Sequence, residues 1–239
     1  MKHLGYIFFY RYADKSITCC RISADEYDKA GDTVRANFCL QNIGFIYEER
    51  KNDIPNARKY IERALIGWKK LNDTTQQANL NKYLGYLEGK AGNYINGKRL
   101  VRKAISQFRS VNDENGVAVS YFDMARIFMA QHKPDSAISY LNKAHEHWGK
   151  VSNADRMFGV NNYLMSNYFL KKDTTRMAAV YKNNTALLSE KIHWQDKLKF
   201  YHYAWHYAEL STEPVLEKRY RARYDMLKDS LKKAGIKVD

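Results

Sequence analysis

Large apolar, small and polar residues follow one another along this chain in an order that repeats about every 40 residues. Within segments rich in aromatic residues, a large apolar residue is followed directly by a small one. These pairs are Leu4-Gly5, Ile43-Gly44, Leu84-Gly85, Met124-Ala125, Met165-Ser166 and Tyr203-Ala204. A fixed period of this length predicts a repeat protein, because each repeat is then one supersecondary unit that packs on its neighbours.

Each repeat predicts two helices. Around each pair, apolar residues follow the i, i+3, i+4 spacing of a first helix, called helix A here. A second helix, called helix B, contains two small residues seven positions apart, which places both on one face. These small residues are Ala57 and Ala64, Gly97 and Ala104, Ala137 and Ala144, and Ala178 and Thr185. All three prolines, Pro55, Pro134 and Pro214, stand where a helix B should begin, a position that tolerates the missing N–H.

This pattern resembles the tetratricopeptide repeat (TPR). The resemblance is clearest in Ile43-Gly44-x-x-Tyr47 followed by Ala57-x3-Ile61-x2-Ala64. It implies an all-α fold, a right-handed superhelical solenoid of about six TPR-like antiparallel helix pairs. The period near 40 rather than 34 is the longer form seen in TPR arrays of bacterial regulators and sensors.

The register divides the chain into a single array over residues 1–239. Its approximate units are 1–32, 33–73, 74–113, 114–153, 154–192 and 193–239, and a C-terminal capping helix belongs to the last one. The terminal units follow the pattern less well, as is usual for repeats that cap a stack.

The resemblance also implies that the A helices line a concave groove that binds an extended peptide. The groove positions include Lys2, Tyr6, Asn42, Phe45, Lys82, Tyr86, Phe122, Arg126, Tyr163 and Asn167. Lys2, Asn42 and Lys82 match three of the five positions with which some TPR domains grip a C-terminal carboxylate, whereas Tyr6 and Tyr86 replace the other two. We therefore expect a looser site for an anionic peptide, with Arg126 as a further cation.

The excess of positive charge indicates an acidic partner, because 40 Lys and Arg face only 26 Asp and Glu, a net charge of +14. Two successive B helices are especially basic and predict a patch on the convex face. It consists of Arg58, Lys59, Arg63, Lys98, Arg99, Arg102 and Lys103. A solvated outer surface is the simpler explanation of this patch, and nucleic-acid binding is a further alternative although no dedicated motif accompanies the charge.

Motifs of catalysis or cofactor binding are weak in this sequence. Gly92-x4-Gly97-Lys98 begins like a phosphate-binding loop, but Arg99 replaces the Ser or Thr that would hold magnesium. His202 and His206 have a metal-ligand spacing but no evident third ligand. We therefore predict a non-enzymatic protein-interaction module without a metal or cofactor.

Three cysteines cannot supply a disulfide framework, and no apolar run is long enough to cross a bilayer. Both observations favour a cytoplasmic protein. An alternative to the simple interaction module is a regulatory TPR domain that transmits ligand occupancy. It would be periplasmic if this chain is a fragment of a membrane-anchored bacterial sensor.

Overall fold

Helices form almost all of the chain in the computed structural model, which describes residues 12–236 and 238. Eleven helices lie within these residues. They are α1 (Ala13–Lys29), α2 (Thr33–Lys51), α3 (Ile54–Lys70), α4 (Thr74–Lys90), α5 (Tyr94–Ser110), α6 (Glu114–Ala130), α7 (Pro134–Lys150), α8 (Ala154–Leu170), α9 (Thr174–Leu187), α10 (Trp194–Leu210) and α11 (Pro214–Lys233). The predicted all-α fold of about six antiparallel helix pairs is confirmed. None of the described helices is both long and apolar enough to span a membrane.

The same short turn joins nearly all of these helices. Each turn contains one residue with positive φ, and the next such residue follows 20 or 21 positions later. These residues are Gly31, Asn52, Asn72, Gly92, Asn112, His132, Ser152 and Lys172, and Thr212 continues the series two steps further on. Glycine and asparagine adopt this left-handed conformation at little cost. The turn therefore halves the 40-residue period into two equal helical segments.

An acidic or amide side chain caps many of the following helices. Asp53 accepts a hydrogen bond from the backbone N–H of Asn56 at 3.0 Å, and Asp73 accepts one from Gln76 at 2.9 Å. The same cap occurs at Asp32, Asp113, Asn153 and Asp173. Such caps satisfy donors at the helix start that have no partner within the helix. The helix boundaries are thus encoded locally.

The chain forms two compact units, Met1–Asp123 and Met124–Asp239, with the boundary inside α6. The core of the first unit includes Ile61, Trp68, Leu80 and Leu87 between α3 and α4. The core of the second includes Phe158 and Phe200, whose rings meet edge to face at 5.4 Å. The assignment of the whole chain to a single array of six units stays a prediction.

The small residues lie where two helices come closest. A Cβ atom added to Gly85 would stand 2.9 Å from the carbonyl oxygen of Gly97 and 2.6 Å from Cγ2 of Val101. Gly44 has the same relation to Ile61 on α3. The sequence register fails in α9, where Ala178 is half-buried and Thr185 is exposed. Met177 and Asn184 are the buried pair there, one position earlier, because they, and not Ala178 and Thr185, stand 40 residues after Ala137 and Ala144.

Candidate peptide-binding surface

The helix-A positions of the first unit lie on α2, α4 and the first half of α6. Asn42 is exposed, whereas Phe45, Lys82, Tyr86 and Phe122 are half-buried. Each of the four half-buried side chains therefore combines contacts inside the protein with an accessible portion. The other two groove residues assigned to this part of the chain, Lys2 and Tyr6, lie outside the described residues.

Three donors from α4 converge on one carboxylate of α2. Glu48 accepts hydrogen bonds from the Tyr83 hydroxyl at 3.2 Å, the Tyr86 hydroxyl at 2.9 Å and the Lys90 ammonium at 2.8 Å. The ring of Phe45 meets that of Tyr83 edge to face at 4.6 Å. We call Phe45, Glu48, Tyr83, Tyr86 and Lys90 the Glu48 cluster. It fixes the rings of two neighbouring A helices against each other.

The Glu48 cluster shifts the pKa values of its members in opposite directions. Burial tends to raise the pKa of Glu48, but hydrogen bonds from Lys90 and Tyr86 and the charge of Lys90 outweigh it, so the pKa is lowered. Burial raises the pKa of Tyr83, and the negative charge of Glu48 adds to this effect. The carboxylate therefore stays ionised and the phenol stays protonated at neutral pH.

The sequence pattern predicts Tyr86 as a groove residue and assigns no role to Glu48. In the structure the Tyr86 hydroxyl is bound to Glu48, so its ring rather than its hydroxyl is the part available for contact. The overlooked signal is positional: Glu48 and Lys90 stand four and five positions after the small residues Gly44 and Gly85, on faces that successive A helices share. An acid and a base at such matched positions can pair between repeats.

In the second unit, the three candidate residues differ in accessibility. Arg126 and Tyr163 are half-buried. The Lys199 ammonium lies 4.9 Å from the centre of the Tyr163 ring and donates to its hydroxyl at 3.3 Å. Asn167 is only 2% exposed, and its amide donates to the backbone carbonyl of Tyr163 at 2.7 Å. The structure therefore places Asn167 in the interior rather than on a lining.

The residues of the basic patch are spread over α3 and α5. Arg58 does not project freely, because its guanidinium pairs with the buried carboxylate of Glu88 on α4. Lys98 is half-buried. The exposed members are Lys59, Arg63, Arg99, Arg102 and Lys103. Among the described residues, no three His, Cys, Asp or Glu side chains are grouped so that they could hold a metal ion.

Comparison with known proteins supports the resemblance. Residues 76–149 match the family model described as tetratricopeptide repeat, and no curated protein matches the chain. BtubC (BKLC) from P. vanneervenii superimposes with a TM-score of 0.79 at 16% identity, covering 95% of this chain and 94% of that one.

Two further solved structures show the same fold. A putative kinesin light chain from Podospora anserina with TPR-like repeats gives a TM-score of 0.64 at 10% identity, with coverage of 81% and 95%. A signal-transduction ATPase with a TPR sensor from Pyrococcus horikoshii gives 0.56 at 18%, covering 92% of this chain and 40% of that one. TPR folds are typically protein–protein interaction scaffolds without catalytic activity. Residues 76–149 are thus a tetratricopeptide-repeat region by sequence, and the chain has the tetratricopeptide-repeat fold.

Proposed function

We propose that this protein is a non-enzymatic interaction module that binds a peptide segment of acidic character on the helix-A face of its first unit. The binding surface consists of Asn42, Phe45, Lys82 and Tyr86. It uses ring faces for affinity and a lysine for selection by charge. This function rests on one observation, the fixed and half-accessible aromatic rings of the Glu48 cluster.

The rings of the Glu48 cluster are ordered before a ligand arrives. Tyr83 and Tyr86 are anchored through their hydroxyls to Glu48, and Phe45 is held edge to face against Tyr83. Because these rings are already fixed, the protein loses little side-chain conformational entropy when a partner binds them. Such preorganised aromatic residues are typical binding hot spots. Since Phe45 and Tyr86 retain accessible area, a peptide side chain can pack against them.

The charge on this face supports an acidic partner. Lys90 is neutralised by Glu48, with 2.8 Å between the ammonium and the carboxylate. Lys82 lies four residues before Tyr86 on the same face of α4, so a basic residue stands one helical turn from the ring of Tyr86. The net charge of +14 further attracts an acidic segment during encounter.

The experiment begins with selection of ligands from a random peptide library displayed on phage. The affinity of each selected peptide for the intact chain is then measured by fluorescence anisotropy. Lys82→Glu is expected to weaken binding by about tenfold or more, because it replaces an attractive charge at the site with a repulsive one. Phe45→Ala is expected to weaken it by a similar factor through loss of ring contact.

Lys103→Glu is the matched control, since it makes the same change of charge on an exposed position of α5 in the same unit. Lys103→Glu should weaken peptide binding by about twofold or less, because a distant charge acts on the peptide only through screened long-range electrostatics. Equal losses in the two glutamate variants would reject a local site. A loss of affinity in Lys103→Glu alone would place the binding site on the basic B helices. It would then favour the alternative of a nucleic-acid or other anionic partner.

A further inference from the structure

A second candidate site lies in the other unit, between the start of α10 and the C-terminal helix α11. It is a pocket of about 550 Å³, a size within the range of small-molecule sites. The residues that line it are Trp194, Gln195, Leu198, Lys199, His202, Tyr203, Tyr224 and Val238. All of them belong to the second unit, so the pocket is separate from the proposed peptide surface.

Flat aromatic and heteroaromatic rings form much of the wall. His202 stands at the centre of this group, with its ring centre 5.0 Å from that of Tyr203 and 5.8 Å from that of Tyr224. Trp194 at the first position of α10 adds an indole. Rings at these separations present π faces and edges against which another planar group can stack. The walls therefore favour a planar, unsaturated ligand over a flexible aliphatic one.

The charge of the lining is positive. Lys199 is the one charged side chain among the lining residues named above, and it is exposed. Its ammonium sits over the Tyr163 ring at 4.9 Å, which fixes it beside the pocket. Lys228 adds a second ammonium 5.7 Å from the centre of the Tyr224 ring. None of the described lining residues is a carboxylate, although Asp196 lies close enough to Lys199 for their charges to interact.

Partial burial keeps the central imidazole of the pocket in its neutral form. Burial lowers the pKa of His202, and the nearby His206 lowers it further. At neutral pH the imidazole is therefore a stacking and hydrogen-bonding group, and Lys199 provides the charge. A ligand with both a planar ring and one anionic group satisfies the two features together.

We propose that this pocket binds a planar aromatic anion, with its ring packed against the rings of His202 and Tyr224 and its anionic group at Lys199. A free aromatic carboxylate has this chemistry, and so does an aromatic residue beside an acidic one in a peptide. Indole-3-acetate represents the first source, and the blocked dipeptide N-acetyl-Trp-Glu-amide represents the second.

The test measures the dissociation constants of three indole probes of similar size by calorimetry on the intact chain: indole-3-acetate, neutral indole-3-acetamide and cationic tryptamine. We expect indole-3-acetate to bind about fivefold more tightly than the acetamide, as for one partly exposed charge pair, and tryptamine to bind most weakly. Lys199→Met should abolish the difference between acetate and acetamide. Tyr224→Leu should weaken both probes by the same factor, because it removes a ring and no charge.

Lys182→Met is the matched control, because Lys182 is an exposed lysine of α9 in the same unit and does not line the pocket. It should leave the preference for the acetate intact. The blocked dipeptide is measured beside these probes, and the tighter of the two sources shows whether the pocket prefers the free acid or the peptide form. The proposal is overturned if neither source binds at millimolar concentration, or if the preference for the acetate persists in Lys199→Met.

Discussion

Replacement of Glu48 by alanine tests the geometry on which the proposed peptide surface depends. The side chain of Glu48 is 8% exposed and accepts three hydrogen bonds, one of them from Lys90, whose side chain is 36% exposed. Removing one partner of a fully buried ion pair costs about 3–5 kcal/mol. Lys90 can return to water, so the remaining cost comes mainly from two tyrosine hydroxyls without their acceptor. We expect a loss of about 2–3 kcal/mol in the free energy of unfolding.

Two neighbouring variants separate this contribution from a simple change of charge. Glu48→Gln keeps a carbonyl acceptor of similar shape and should cost about 1 kcal/mol. Glu49→Gln removes the same charge at the next position, where the side chain is 52% exposed, and should change stability by less than about 0.5 kcal/mol.

The measurements are urea unfolding followed by circular dichroism and hydrogen exchange of α2 and α4. Hydrogen exchange is included because repeat arrays can unfold in several steps. Glu48→Ala should raise exchange in both helices, since the cluster joins them. Equal stability of Glu48→Ala and Glu49→Gln, or unchanged exchange in α4, would refute the reasoning.

The lowered pKa of Glu48 determines how its contribution to the free energy of unfolding depends on pH. The folded pKa of Glu48 lies below its ordinary value of 4.5, so the unfolded chain binds the proton first as the pH falls. The stability difference between wild type and Glu48→Gln should therefore be fully present at neutral pH and shrink as the pH falls below 4.5. A difference that is as large at about pH 3.5 as at neutral pH would contradict this assignment.

Three further predictions concern other parts of the fold. Gly85→Ala should destabilise the protein by about 1–2 kcal/mol in urea unfolding, because the new methyl group meets the Gly97 carbonyl. Gly149→Ala should instead stabilise it by about 0.5–1 kcal/mol, because a methyl group added at Gly149 meets no neighbouring atom within 4 Å. Thr212→Gly should raise the free energy of unfolding by about 1 kcal/mol, because a β-branched residue at φ 56° is strained; no gain would contradict the turn geometry. His202→Gln should lose less stability than wild type between neutral pH and about pH 5.5, because the lowered pKa of His202 lets the unfolded chain take up the proton first. Parallel losses in the two proteins would contradict a half-buried neutral imidazole.

The candidate site was predictable only in part. The sequence register identified Phe45, Lys82 and Tyr86 as residues of one face, and all three are half-buried on α2 and α4. It did not reveal that the Tyr86 hydroxyl is bound, because Glu48 lies 38 residues away. Asn167 shows the same difficulty, since periodicity alone cannot tell a lining amide from one that donates to its own helix.

By itself, the sequence determined the repeat and everything that depends on contacts close along the chain. The small residues Gly44 and Gly85, the prolines at the starts of α3, α7 and α11, and the asparagines and aspartates of the turns each act within a helix, a cap or one helix pair. These requirements are the same in successive units, so they are written as a period. The local geometry can therefore be predicted from the sequence alone.

Only the tertiary structure decided which polar side chains meet. Glu48 accepts hydrogen bonds from Lys90 and two tyrosines of the next A helix. Arg58, predicted as part of the basic patch, forms an ion pair with buried Glu88. Lys199 is fixed on Tyr163, 36 residues earlier. These pairs differ from one repeat to the next, because a buried charge must be neutralised by whichever donor its own neighbour happens to provide. The period is a property of the backbone, and the recognition chemistry depends on these individual pairings.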